Sequence, residues 1–246
     1  MSRLVCAVIL ASGKGERMNC GFPKQFAEIK GKTIIERSIE AFEQNENVDE
    51  IIVVSEPSTI ERIREIVQKN GYKKVRKIVP GGAVRAESSS IGVGEVAEND
   101  AKVLIHDAAR PLVTQKIINE CITALDSCDA VNVAIKATDT IIEADCGMMK
   151  AATERSRMMQ VQTPQGFRAG AIKKAHSMAK KEGFAGATDD CGIVFRYGLS
   201  EIRIVEGDRT NIKITYPEDI LIAEMFVEGV ETSYYGVYIT NSSEFQ

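Results

Sequence analysis

Five short apolar, β-branched runs limit what this chain can fold into more than any single motif does. VCAVILA (5–11), EIIVVS (50–55), VRKIV (75–79), KVLIH (102–106) and AVNVAI (130–135) read as strands buried on both faces. Between them lie helical patterns over 33–44, 58–70, 86–97 and 115–126; in the first, Ile34, Ile35, Ile39 and Phe42 fall near one face. Strands alternating with helices predict an α/β fold, a Rossmann-like, mostly parallel sheet with helices on both sides. Ligands of such sheets sit beyond the carboxyl ends of the strands. The segments that directly follow strands, SGKGER, PGG and HDAARP, are therefore expected on one rim.

The alternation breaks at TDTIIEADCGMMKAATER (138–155), where two extended stretches flank Asp145-Cys146-Gly147. This is a hairpin signal. It predicts an arm, about 138–160, inserted in a domain of residues 1–229 and shaped to grip a second subunit. A helix is expected near 168–182, strands at EIRIV (201–205) and NIKIT (211–215), and a helix from Pro217 to about Glu228, with proline and two acids marking its start. The stretch 230–246 is a tail to which the sequence assigns no role.

At 246 residues one large domain with an appendage is the default. The net charge of −4 excludes a global basic field for nucleic acid, so any anion site must be local. No apolar run approaches the ~20 residues of a membrane span. Six scattered cysteines without a CxxC pair, and two histidines, leave little for a zinc site and suit a reducing cytoplasm.

LASGKGERM (10–18), followed by PKQ (23–25), raises the functional question. Gly13-x-Gly15 lacks the third glycine of a dinucleotide-binding turn, because Met18 stands there, and no GK[ST] closes a P-loop. The backbone N–H groups of a glycine turn nevertheless form a concavity for anions. Arg17 supplies a rigid fork and Lys24 a point charge, a pair suited to a chain of phosphates. Either cation alone reads more readily as a solvated surface charge.

ASGKGERM, PKQ, PGGAVRAES, HDAARP, VQTPQGF, ATDD and NIKITYPED occur in an order that resembles the 2-C-methyl-D-erythritol 4-phosphate cytidylyltransferases, from about Val5 to Glu228. The sister family acting on ribitol 5-phosphate shares most of these landmarks. The resemblance implies transfer of a cytidylyl group from CTP to a polyol phosphate, with release of pyrophosphate, in the non-mevalonate route to isoprenoid precursors. It implies that Ala11, Ser12, Gly13 and Gly15 wrap the triphosphate, that Gly81, Gly82, Ser88 and Ala108 belong to the nucleotide site, and that Arg17, Lys24 and Lys213 are catalytic. Asp107 would bind Mg²⁺. Arg110, Thr140, Arg155 and Thr188 would serve the acceptor, with Arg155 coming from the partner of a homodimer. His106 reads as scaffold.

Three departures bear on the site; one is mild, Ser12 in place of a small apolar residue in the glycine turn. Ala83 stands where both families usually carry an acid after the glycine pair. Asp190-Cys191-Gly192-Ile193 mixes features of the two families, in a segment expected to border the acceptor. Ribitol 5-phosphate or another polyol phosphate stays open as the acceptor. A catalytically silent nucleotide-binding protein is the alternative of another class.

Overall fold

β1 (Val5–Ala11) is buried throughout, and its side chains divide by period two between two cores. Val5, Ala7, Ile9 and Ala11 join one apolar cluster; Cys6, Val8 and Leu10 join another. β1 lies between β4 (Glu50–Ser55) and β6 (Lys102–Asp107), parallel to both. This computed structural model describes residues 3–13, 15–18, 21–184 and 186–228; the tail at 230–246 lies outside them.

Among the described residues the main sheet has seven strands, in the order β11-β7-β10-β6-β1-β4-β5, where β5 is Val75–Pro80, β7 Ala130–Lys136, β10 Met159–Arg168 and β11 Ile202–Glu206. All neighbours are parallel except β10, which runs antiparallel to both β6 and β7. The expected α/β architecture is therefore present, with three corrections. VQTPQGF, which the sequence reading does not count among the strands, lies within central strand β10. Its Pro164 falls where the β7–β10 register shifts between Val161 and Gln165, which is where a strand tolerates a missing N–H. β5, expected to be buried on both faces, is a half-exposed edge strand.

The third correction concerns NIKIT, which is no strand. Residues 211–215 join no ladder; Ile214 donates its N–H to Ala109 O (2.8 Å) and is buried beside Met18, Ile34 and Ala223. Any extended segment with one face against a core shows the same alternation.

α1 (Ile34–Glu43) starts at a capping box in which Thr33 and Glu36 satisfy each other's backbone N–H groups. It covers one face of the sheet with α2 (Ile60–Asn70) and α4 (Gln115–Ala124), around Phe42, Ile63 and Ile118. α3 (Arg85–Gly94), α5 (Ala169–Glu182) and α6 (Asp190–Arg196) cover the other, around Val93, Ile172 and Val194. α3 packs so closely that a Cβ at Gly92 would stand 2.4 Å from Val8 Cγ1. α7 (Glu218–Glu228) closes the described chain, beside the small ladder of β2 (Glu28–Ile29) and β3 (Lys32–Thr33).

The arm is a separate two-stranded ladder, β8 (Ile142–Asp145) and β9 (Met148–Ala152), turned by Cys146 and Gly147 at positive φ. Every residue of both strands is exposed, Ile142, Met148 and Met149 included. No helix among the described residues is long and apolar enough to cross a membrane.

Candidate active site

β1 delivers the glycine turn to the carboxyl rim of the sheet. Gly15 has φ +68°, and a Cβ there would meet Lys24 Cγ at 2.8 Å, so the glycine both permits the turn and makes room for the lysine stem. Met18, 3% exposed, pins the far end of the turn in the cluster with Ala27, Ile29 and Ile214. Lys24 opens the 3₁₀ turn Lys24–Phe26, and its Nζ donates to Ile214 O at 3.0 Å. Burial and then the neighbouring Lys213 lower its pKa, with Asp107 acting the other way.

From the opposite side come Gly81 and Gly82, directly after β5. A Cβ on Gly81 would lie 2.5 Å from Ser12 Cβ, and one on Gly82 would lie 2.4 Å from Glu87 Cβ. This proximity joins the two turns: Ser12 Oγ donates to Ser88 Oγ (2.8 Å), and Gly82 N–H donates to the same oxygen (3.1 Å). Where the families usually carry an acid, Ala83 N–H donates instead to Glu87 Oε2 (2.7 Å), so a carboxylate reaches this turn from α3.

Asp107 ends β6 beside Leu10 of β1. Its Oδ1 accepts from Arg85 Nε (3.1 Å) and its Oδ2 from Lys213 Nζ (2.6 Å). Burial alone would raise its pKa, but the charges of Arg85 and Lys213 more than offset that and hold it well below the usual carboxylate range. Next to it, His106 is fully buried, and its pKa is pushed down to about 4, chiefly by desolvation. A neutral ring fits its contacts: Asp107 N–H donates to Thr163 Oγ1, the Thr163 hydroxyl to His106 Nδ1 (3.0 Å), and Nε2–H to Arg110 O (3.0 Å). Histidine thus acts as scaffold here, as its sequence position suggested.

These elements enclose a cavity of about 940 Å³. Ala11, Ser12, Gly13, Gly15, Arg17 and Lys24 line one side of it. Gly81, Gly82, Asp107, Ala108 and Lys213 also line it, while Ser88 stands behind Ser12 and Gly82. Arg85, which sequence reasoning passed over, lines it too; its position in PGGAVRAES, just past a strand-end glycine pair, was the available signal.

A second cavity of about 370 Å³ meets the first at Lys213, which borders both. Its wall carries Arg110, Lys136, Arg209 and Lys213 and, among the described residues, no carboxylate. Arg110 is held by Asn211 O (2.8 Å) and Val161 O (3.2 Å), and its buried Nε has no partner among the described residues. Lys136 and Arg209 belong to no motif, and nothing in the sequence singled them out. Thr140, Arg155 and Thr188 are exposed and border neither cavity; Arg155 reaches Thr138 O at 3.4 Å. Cys191, expected near the acceptor, is instead core: it is 3% exposed, with Sγ against Val131 O (3.5 Å).

A cluster of Ser89, His176 and Asp190 also escaped the sequence reading. Ser89 is fully buried and donates its hydroxyl directly to Asp190 Oδ1 (2.5 Å), so it is no exposed nucleophile awaiting a base. With cations around strand-end turns, the site is built to position and neutralise an anion rather than to form a covalent intermediate.

Residues 5–229 match the family model described as 2-C-methyl-D-erythritol 4-phosphate cytidylyltransferase. A protein of that description from Thermobifida fusca (strain YX) is 41% identical over 228 residues, spanning 89% of this chain and 92% of the relative. A bifunctional ribulose 5-phosphate reductase/CDP-ribitol pyrophosphorylase Bcs1 from Haemophilus influenzae is 43% identical over 222 residues, 88% of this chain and 47% of that protein. The crystal structure of 4-diphosphocytidyl-2C-methyl-D-erythritol synthase from Anaerococcus prevotii superposes with a TM-score of 0.81 at 28% identity, covering 92% of this chain and 96% of that one.

Proposed function

This chain belongs to the 2-C-methyl-D-erythritol 4-phosphate cytidylyltransferase family, and from that premise we propose that it joins CTP to 2-C-methyl-D-erythritol 4-phosphate, giving 4-diphosphocytidyl-2-C-methyl-D-erythritol and pyrophosphate for isoprenoid synthesis in the cytoplasm. The observation that carries this reading is Lys213. It stands at the junction of a larger cavity that carries the glycine turn, Arg17, Lys24, Arg85 and Asp107 and a smaller one whose charged side chains, among the described residues, are all cations.

CTP occupies the larger cavity, with its triphosphate along the turn from Ala11 to Gly15 and its base towards Gly81 and Gly82. The acceptor phosphate occupies the smaller one, near Arg110. An acceptor phosphate oxygen attacks the α-phosphorus; one P–O bond forms as the bond to pyrophosphate breaks, and the departing electron pair stays on pyrophosphate oxygen. Arg17 and Lys24 neutralise the triphosphate, and Lys213 steadies both phosphates at the junction.

Asp107 fits a magnesium ion as a single carboxylate ligand. Its two ion pairs leave carboxylate lone pairs free, and the described residues form no cluster of three ligating side chains, so substrate oxygens and water would complete the shell. Bound there, the ion would withdraw charge from the triphosphate. Arg155 and Thr140, on or beside an arm with exposed Ile142 and Met148, reach an acceptor site across a homodimer.

The 43% identity to 47% of a bifunctional ribulose 5-phosphate reductase/CDP-ribitol pyrophosphorylase favours a second reading in which the same chemistry serves ribitol 5-phosphate. Pyrophosphate release from CTP and Mg²⁺ with methylerythritol 4-phosphate, ribitol 5-phosphate, erythritol 4-phosphate and glycerol 3-phosphate separates the two. Release with the first supports the proposal, and preference for ribitol 5-phosphate replaces it. CTP binding without release from any of the four points to a silent scaffold.

A further inference from the structure

Arg85 stands between two aspartates. On the cavity side its Nε and Nη2 meet Asp107 Oδ1, each at 3.1 Å; on the far side its Nη1 donates to Asp190 Oδ2 at 2.7 Å. Asp190 lines neither cavity and is fully buried. Its other oxygen accepts from Ser89 Oγ (2.5 Å) and stands 3.2 Å from His176 Nε2, while its backbone N–H donates to Gln165 Oε1 at 3.0 Å. Gln165 in turn holds Asp189 Oδ2 (2.8 Å), so the start of α6 is fastened to β10. On the other side of Arg85, Asp107 Oδ2 holds Lys213 Nζ at 2.6 Å.

A buried carboxylate is expensive to desolvate and persists where it is paired and hydrogen-bonded. Here every such contact serves to fix one edge of a guanidinium whose other edge faces the cavity. Because that guanidinium is planar, its orientation at Asp190 fixes where its second edge meets Asp107. Asp107, with one oxygen held by Arg85, can present the other to Lys213 in one place.

Resting on the family reading above, we propose that Asp190 is a positioning residue for cytidylyl transfer: through Arg85 and Asp107 it sets where the Lys213 ammonium stands between the two cavities. The Ser89–His176 pair is its anchor. Asp190 touches neither substrate, so its removal acts on turnover rather than on nucleotide capture.

The test compares wild type with Asp190→Asn, Arg85→Lys and the double variant, each checked for folding by circular dichroism and melting. The expected result is a kcat lower by about 10- to 100-fold in Asp190→Asn, the scale on which small misplacements of reacting groups act, with CTP affinity by calorimetry nearly unchanged. The double variant should be no worse than the poorer single variant, because both changes break one chain of contacts. If Asp190→Asn does not fold, Ser89→Ala, which removes one hydrogen bond to the carboxylate, carries the same comparison with a smaller loss. A second readout needs neither CTP nor acceptor: the labelling rate of Lys213 by an amine-reactive reagent, read by peptide mass spectrometry, should rise several-fold once Asp107 is no longer held. An inactive wild type would defeat the family reading and leave the labelling result to decide the role of Asp190. Unchanged labelling of Lys213 in a folded Asp190→Asn, or a kcat per folded molecule equal to wild type, overturns the inference.

Discussion

The two halves of the site are built differently. On the nucleotide side, three strand ends and two turns bring Lys24, Arg85, Asp107 and Lys213 into one connected wall within a single chain. On the acceptor side, Arg110 is fixed by backbone carbonyls, but Thr140, Arg155 and Thr188 stand exposed and apart from both cavities. The contrast has a physical source. Residues at the ends of buried strands inherit their positions from the sheet, whereas the arm has no buried residue of its own in either strand. Under the proposed function, a triphosphate would meet a surface organised in advance, and the acceptor one that a partner subunit would complete.

The sharpest way to break this contrast is Lys24→Ala. If the nucleotide half is prebuilt, losing one fixed cation should lower kcat by about 10²–10³-fold with the fold retained, read by pyrophosphate release and circular dichroism. Near-normal turnover would remove Lys24 from the mechanism. The next probe is acidity, because His106 ties Arg110 to the strand that carries Asp107. With a folded pKa of about 4 below the usual 6.5, its contribution is fully present above pH 6.5 and is lost as pH falls towards 4. That loss is roughly 3 kcal/mol by linkage, and urea titrations across this window measure it. In His106→Gln the slope over that interval should flatten.

The smallest expected effect belongs to the incomplete half. Arg155→Ala should raise the acceptor KM by about 10-fold, the loss of one exposed charge-assisted contact, while leaving the CTP KM unchanged. Mixing Arg155→Ala with Lys24→Ala protein sharpens the point. If Arg155 serves the other subunit, exchange of subunits creates one site per mixed dimer with both residues intact, and activity returns; if each chain supplies its own, it does not.

Much of the nucleotide half was legible in the sequence for the same reason that it is rigid. Val, Ile and Leu runs announce buried strands, and the segments following them must lie on one rim. The cations on that rim, Arg17 and Lys24, could therefore be singled out before any distance was known. The sequence hid residues whose neighbours are distant in the chain. Asp190 stands in a segment expected to border the acceptor, and only folding brings it to Arg85 and His176 instead. NIKIT alternated like a strand because one side of it is buried, a property that does not require a ladder. VQTPQGF failed to look like a strand because proline, glycine and two glutamines outweigh its pattern. Yet Gln165 is completely buried there, its amide divided between Asn132 and α6.

That strand also governs the order in which the protein can be assembled. β6 and β7 are not neighbours; β10 lies between them and pairs with each. As the chain leaves the ribosome, β5, β4, β1 and β6 can form one ladder, but the edge of β6 that will hold Asp107 in its final setting stays open until residues 159–168 appear. An open, apolar edge of this kind invites pairing with another chain. The arm, emerging just before β10, is thus made while the sheet is still divided, and closure of the sheet and correct presentation of the arm become a single late event.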